Sequence, residues 1–203
     1  MPVISAENSE RLFWLGRYSE RAFTGLRTFA EKFSMMQAGN DAAKMTCFDE
    51  GNPESIAYSL NRAYDNAIVL RDEIGSDTFS YIQLAVYEMK KASHSKTPLL
   101  GLQKVIDNIA AFWGMADDSM DDEHARNIIK LGTRVERVDL YARMNADSKD
   151  IRREIRRLTY RIARTGLHYS TESLERLNVL ASEDKLDCAS IVREVESLVY
   201  FAS

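Results

Sequence analysis

Two short segments combine carboxylates and guanidinium groups at the same spacing. The pattern L-G-x-x-x-E-R occurs over residues 15–21 and again over residues 131–137. Arginine is suited to two-pronged contacts with phosphate or carboxylate groups, and a pair of carboxylates in unlike environments can act as acid and base. The repeated pattern indicates an internal duplication, and a pocket lined by these groups would suit a zwitterionic or phosphorylated ligand.

Helical spacing shows which of these side chains share a face. At about 100° per residue, one stripe of each copy carries a glycine, a carboxylate and an arginine. A glycine inside a helix costs about 1 kcal/mol relative to alanine, and its usual benefit is close approach of another backbone or a ligand. The residues of the candidate polar pocket are Gly16, Arg17, Glu20, Arg21, Arg27, Gly132, Glu136, Arg137, Asp139 and Arg143.

This set of residues has two interpretations. In the first, Glu20, Glu136 and the arginines pair across the two helices and fix their register, because an isolated buried charge is too costly. In the second, the same groups line a pocket that is open to solvent. The sequence alone leaves both open, since helical spacing does not give the distance between Glu20 and Glu136.

A second cluster of charge lies on one later helix. Its arginines are Arg152, Arg153, Arg156, Arg157, Arg161 and Arg164. Its other side is apolar, with isoleucine and leucine at positions 151, 155, 158 and 162. The pattern predicts an amphipathic helix whose arginine face is either solvated beside acidic neighbours or docked to an acidic partner. Nucleic acid is a weaker alternative, because the chain carries a net charge of -4.

Other classes of site find little support. Asp121-x-x-His124 has a spacing that metal sites use, but it is half of a di-iron pattern, and no metal or cofactor is predicted. Cys47 and Cys188 are far apart and are expected to be free thiols. No apolar run reaches the ~18 residues of a membrane span, and the N-terminal residues lack the features of a secretory signal. These features favour a cytoplasmic, bacterial-type protein.

The helix signals predict an all-α bundle of about six to eight helices. Asn52-Pro53 and Thr97-Pro98 each combine a capping residue with proline at the first helical position. Residues 37–51 form a predicted connection. The predicted helices cover about 5–36, 52–75, 76–95, 97–117, 121–145, 148–166, 171–181 and 187–201. We expect a single domain over 1–203, built from two pseudo-repeats at about 5–95 and 98–203.

The chain resembles the alpha-E domain family. The segment over residues 12–22 is similar to that family's first Glu-Arg signature, residues 52–60 with Asn66 and Arg71 are similar to its middle motif, and residues 131–139 are similar to its second signature. Thr133-Arg134 departs from the pattern, because the family usually repeats Gly-Arg-Tyr there. Arg17 therefore has no arginine counterpart in the second copy.

The resemblance implies a partner or accessory module rather than an established catalyst. In their gene context, members of the family are similar to proteins that are encoded beside ATP-grasp ligases and transglutaminase-like proteins. We therefore expect a non-catalytic binding or interaction module that acts with an ATP-grasp-type peptide ligase or a transglutaminase-like protein. The alternatives are an enzyme or ligand-binding bundle that uses the Glu/Arg pocket, and a purely structural oligomeric bundle; the sequence is compatible with a homo-oligomer.

Overall fold

The structure is a computed structural model that describes residues 4–35 and 47–201. In this part of the chain every regular element is a helix, and the prediction of an all-α fold is confirmed. The helices are α1 (Ala6–Met35), α2 (Ile56–Val69), α3 (Arg71–Ile74), α4 (Ser76–Ser93), α5 (Pro98–Ser119), α6 (Glu123–Arg143), α7 (Ser148–Ile162), α8 (Thr171–Ser182) and α9 (Cys188–Glu196). Residues 37–46 of the predicted connection lie outside the described ranges.

Most helix boundaries agree with the boundaries predicted from the sequence, and some differ from them. Gly75 ends α3 with φ +80°, a conformation that favours glycine. α2 begins at Ile56 rather than at Asn52-Pro53, because the Ser55 hydroxyl caps it by accepting from the Tyr58 backbone N–H at 3.0 Å. The Asn52 side chain instead accepts from the Glu54 backbone N–H, which makes a local turn before the helix. The cap of α7 is likewise Asp147, one residue before the predicted Ser148.

The chain forms two compact units. The terminal unit contains Met1–Arg17 and Glu123–Ser203, and the middle unit contains Tyr18–Asp122. The first part of α1 therefore belongs to the terminal unit and the rest of α1 to the middle unit. The predicted pseudo-repeats over about 5–95 and 98–203 remain a prediction.

The middle unit is organised around the packing of α4 against α5. A Cβ on Gly101 would lie 2.7 Å from the Ala92 Cβ, so these two small residues let the helices approach closely. Trp113 of α5 lies 4.8 Å from the Phe23 ring, and its indole N–H donates to the Ser19 hydroxyl at 3.1 Å. Aromatic packing and one partly buried hydrogen bond thus fix this part of α1 in the middle unit.

The terminal unit is built on α6. Helix packing buries twelve residues of α6, including the two acidic residues Glu136 and Asp139. On α7, Ile151, Ile155, Leu158 and Ile162 are each 0–1% exposed, which confirms the amphipathic prediction and places the apolar side in the core of this chain. Residues Tyr169 and Val199 form one isolated antiparallel bridge that ties the segment before α8 to the segment after α9.

Candidate functional site

Gly16 of α1 and Gly132 of α6 mark a close helix contact in the terminal unit. A Cβ on Gly16 would lie 2.1 Å from the Ile129 carbonyl oxygen, and a Cβ on Gly132 would lie 2.1 Å from the Phe13 carbonyl oxygen. Real Cβ atoms do not approach other atoms that closely, so both positions require glycine at this helix separation. The two L-G segments therefore face each other, and each glycine contacts the residue three positions before the other.

An ion cluster lies next to this contact. Arg17 Nε donates to Glu136 Oε2 at 2.7 Å, and Arg17 Nη2 lies 3.9 Å from Asp139 Oδ2. The side chains of Glu136 and Asp139 are 0% and 5% exposed, and that of Arg17 is 10% exposed. In the terminal unit, this geometry favours the first interpretation of the second motif, in which charges pair between helices.

The surroundings of Asp139 disfavour the ionised form of its carboxyl group. Burial raises the pKa of its carboxyl group, and the neighbouring Glu136 carboxylate raises this pKa further. Arg143 opposes the shift, because its Nε donates to Asp139 Oδ1 at 2.9 Å. Arg143 also pairs with Glu196 of α9, so the cluster runs from the buried Arg17 to an exposed ion pair.

A cavity of about 350 Å³ borders this cluster on the Arg17 side. The Arg17 guanidinium lies 5.0 Å from the centre of the Trp14 ring, and Phe13 packs against Phe201 at 5.5 Å. The residues that line the cavity are Glu10, Phe13, Trp14, Arg17, Val135, Val195, Glu196, Val199, Tyr200 and Phe201. A ligand in this cavity would meet Arg17 and aromatic rings, while the Glu136 carboxylate lies behind Arg17.

The first motif continues into the middle unit, where its charged groups have other surroundings. The Glu20 side chain is fully buried and accepts from the Thr24 hydroxyl at 2.8 Å. The Arg21 guanidinium lies 5.8 Å from the centre of the Tyr18 ring. Arg27 is exposed, with its guanidinium 5.9 Å from the centre of the Phe23 ring. The pocket predicted from both motifs together therefore stays a prediction.

The terminal unit also explains why the second motif lacks a twin of Arg17. The equivalent position is Thr133, whose hydroxyl donates to the Ile129 carbonyl oxygen at 2.8 Å. This bond lies within α6, so the Thr133 side chain adds no charge to the contact between the two helices. The next residue, Arg134, points to a different set of partners.

Arg134 pairs with Glu154 of α7. Glu154 is 1% exposed and accepts from Arg134 Nη1 at 2.7 Å and from Arg157 Nη1 at 2.8 Å. Burial by itself would raise the pKa of Glu154, but Arg134 and Arg137 outweigh burial and hold this pKa below its usual range. Glu154 is therefore an ionised anchor that fixes guanidinium groups from two helices.

Above this anchor lies an open groove of about 500 Å³, which we call the arginine groove. Its lining residues are Arg134, Arg153, Arg156, Arg157, Tyr160 and Arg161. Arg161 Nη1 donates to Asn127 Oδ1 at 2.6 Å, and Arg153 pairs with Asp150 at 2.6 Å. Arg156 is exposed and has no ion-pair partner among the described residues. In the groove, guanidinium groups that are fixed by hydrogen bonds or ion pairs therefore surround the exposed Arg156, which pairs with no carboxylate among the described residues.

Two of the six predicted face arginines do not line the groove. Arg152 donates from Nε to the Ala181 carbonyl oxygen at 2.9 Å, and from Nη2 to the Asp184 carbonyl oxygen at 3.2 Å. It therefore caps the end of α8. Arg164 lies 4.3 Å from the centre of the Tyr160 ring and holds that ring beside the groove.

Sequence reasoning missed the α6 side of the groove and its buried anchor. Arg134 belongs to the second motif and was not assigned to the arginine face. Glu154 lies on the apolar stripe of α7, between Ile151 and Ile155, where a lone acid must be paired if it is buried. That position is the signal from which the anchor can be found.

Over residues 4–35 and 47–201, no group of three or more His, Cys, Asp or Glu residues is arranged to hold a metal ion. In the same ranges, no helix combines the length and apolar character needed to cross a membrane.

Comparison with known proteins identifies a family. No curated protein and no solved structure matches the chain. A family model described as a predicted alpha-helical domain with a conserved ER motif matches residues 24–154. This match includes Glu136-Arg137 and begins just after Glu20-Arg21. Because it covers more than half of the 203 residues, the chain belongs to the Alpha-E family.

Proposed function

We propose that this protein is a non-catalytic binding module that docks an acidic segment of a partner protein in the arginine groove. The observation that carries the proposal is the balance of charge. Five arginines line the groove, and the carboxylates that pair with them are Glu154 and Asp150. The excess of positive charge is complementary to an acidic peptide, since arginine clusters are a recurrent means of recognising acidic motifs.

The groove is also rigid enough to be selective. Glu154 holds Arg134 and Arg157 at 2.7 and 2.8 Å, so these guanidinium groups lose little freedom when they bind an anion. Arg156 supplies an exposed cation with no competing carboxylate among the described residues. The chain as a whole carries a net charge of -4, which disfavours the long phosphate backbone of a nucleic acid more than a short acidic segment.

The family resemblance supports a particular kind of partner. We propose an ATP-grasp-type ligase, or a transglutaminase-like protein, as the source of the acidic segment. A cytoplasmic location is part of the same proposal, because Cys47 and Cys188 are both free thiols.

The test is co-purification from the native host with tagged wild type, Arg156→Glu and Arg62→Glu. Arg62 is the matched control, because it is an exposed arginine of α2 that pairs with Asp65 at 3.4 Å. Arg156 is preferred to Arg153 and Arg157, whose contacts with buried Glu154 would mix folding with binding.

We expect wild type and Arg62→Glu to retain a ligase or transglutaminase-like protein in an amount nearly equal to that of the tagged protein. We expect Arg156→Glu to lose this partner. Added salt should weaken the complex, since the contact is electrostatic. Equal recovery of that partner by all three proteins would contradict docking in the groove.

A second candidate function rests on the cavity at Arg17. Its aromatic walls and one guanidinium group are typical of a small-molecule site. We expect intact-protein mass spectrometry under native conditions to detect a retained small molecule if this cavity is used. A ligand that stays bound to Arg17→Gln at wild-type occupancy would exclude Arg17 as its contact.

A further inference from the structure

We infer that the arginine groove recognises phosphoryl groups, so that a phosphate-bearing group occupies it in preference to a carboxylate. This inference rests on the proposed function, because it names the chemistry of the anion that binds the docking surface. It adds a means of regulation, since free phosphate compounds would then compete with the partner.

Charge is the first argument for a phosphoryl group. Five guanidinium groups line the groove against the carboxylates of Glu154 and Asp150, which leaves an excess of three positive charges. One carboxylate supplies a single negative charge, whereas a phosphate monoester supplies about 1.5 to 2 at pH 7. A phosphoryl group therefore offsets more of this excess in the same volume.

The direction of the donors is the second argument. Arg134 approaches from α6, and the other four arginines approach from α7. A carboxylate offers two acceptor oxygens that lie in one plane, whereas a phosphoryl group offers three acceptor oxygens that point in different directions. After Glu154 has accepted from Arg134 and Arg157, donors on two helices still surround the groove, and a tetrahedral anion offers one more acceptor oxygen to them than a carboxylate does.

The length of the groove is the third argument. Arg153 and Arg161 are eight residues apart on α7, which corresponds to about 12 Å along the helix. Arg156 and Arg157 lie between them, so a chain of linked phosphates would meet a guanidinium group at each step. We therefore expect binding to strengthen from phosphate to pyrophosphate to tripolyphosphate.

Two sources can present this chemistry, and they are separable. A phosphorylated side chain of the partner would place one phosphoryl group beside Arg156. A free nucleoside triphosphate would place three phosphoryl groups in the groove and its base near Tyr160, a residue that is 66% exposed. Titration with a phosphoserine peptide and with ATP distinguishes these sources by comparison with tripolyphosphate.

The test is isothermal titration calorimetry of wild type, Arg156→Gln and Arg62→Gln at one fixed ionic strength. The probes are phosphate, pyrophosphate, tripolyphosphate and citrate, the last as a carboxylate of comparable charge. We expect tripolyphosphate to bind wild type and Arg62→Gln more tightly than citrate does. We expect Arg156→Gln to weaken its binding about tenfold, as the loss of one charge-assisted hydrogen bond does.

The outcomes that overturn the inference are specific. Citrate binding as tightly as tripolyphosphate would show a site for any anion, and equal binding by all three proteins would show that the groove is not the site. A single-stranded oligonucleotide that binds far more tightly than tripolyphosphate would identify a nucleic-acid surface instead.

The two proposals can fail separately. If the partner is lost from Arg156→Glu but tripolyphosphate neither binds nor displaces it, the docking function stands and the phosphoryl inference falls. If tripolyphosphate binds through Arg156 but the partner is retained by Arg156→Glu, the docking function falls and the phosphoryl site stands.

Discussion

Gly16 and Gly132 occupy reciprocal positions in one helix contact. Each glycine lies against the carbonyl oxygen three residues before the other, and a Cβ on either would lie 2.1 Å from that oxygen. The contact brings Arg17, the residue after Gly16, to the Glu136 carboxylate four residues after Gly132. Close approach of the backbones and pairing of the charges are therefore parts of one arrangement.

Alanine at either glycine should destabilise the protein. We expect Gly16→Ala and Gly132→Ala each to lower the free energy of unfolding by about 2–3 kcal/mol, because the added methyl group forces the backbones apart. Urea denaturation measures the loss. Gly114→Ala in α5 is the control, since a Cβ there meets nothing within 4 Å. This variant should be neutral or up to about 1 kcal/mol more stable, and an equal loss in all three would refute the steric account.

Removal of the Arg17 guanidinium should be costly. Arg17→Met leaves Glu136 and Asp139 buried without it, and we expect a loss of about 3–5 kcal/mol in the free energy of unfolding. The control is Arg11→Met, which breaks an exposed pair with Glu7 and should cost less than about 1 kcal/mol. Urea melts in which Arg17→Met costs no more than Arg11→Met would count against a stabilising buried ion pair at Arg17.

Asp139 gives the cluster a pH dependence of defined sign. Because the pKa of Asp139 is raised in the folded state, the folded protein binds its proton more tightly than the unfolded chain does. Stability from this group is therefore greatest at low pH and falls as the pH rises through the raised pKa. Asp139→Asn lacks this titration.

The stability of wild type and Asp139→Asn is compared by urea denaturation from about pH 4 to 7, a window that begins near the ordinary pKa of an aspartate. We expect the free energy of unfolding of wild type to fall relative to that of Asp139→Asn as the pH rises. A difference that stays constant, or shifts in favour of wild type, would contradict the raised pKa.

The two thiols should differ in reactivity. Burial raises the pKa of Cys47 to about 12, and its side chain is fully enclosed, whereas Cys188 is half-buried. Because the thiolate is the reactive form, we expect iodoacetamide at about pH 8 to label Cys188 in the folded protein and Cys47 only in urea. Intact mass counts the labels. Rapid labelling of folded Cys188→Ser would contradict the burial of Cys47.

Local features of the structure could be predicted from the sequence. The stripe of Ile151, Ile155, Leu158 and Ile162 follows from the period of a helix, and the structure buries all four. Gly75 and Thr97-Pro98 mark helix boundaries because they act through their own backbone conformation. Such signals need only a few neighbouring residues.

The partners of the charged groups could not be predicted. Arg152 and Arg153 are adjacent and identical in type, yet one caps the end of α8 and the other lines the arginine groove. The bond from Arg152 to Ala181 spans 29 residues. Helical spacing assigns a direction to each side chain, but the tertiary packing that decides its partner involves distant segments of the chain.

Hydrogen–deuterium exchange of the complex shows whether the partner binds at the arginine groove. When the partner obtained by co-purification is added to wild type, we predict slower exchange over residues 148–162 of α7. We predict no such protection when Arg156→Glu is mixed with the same partner. Protection confined to the residues around the Arg17 cavity, with α7 unchanged, would contradict the account.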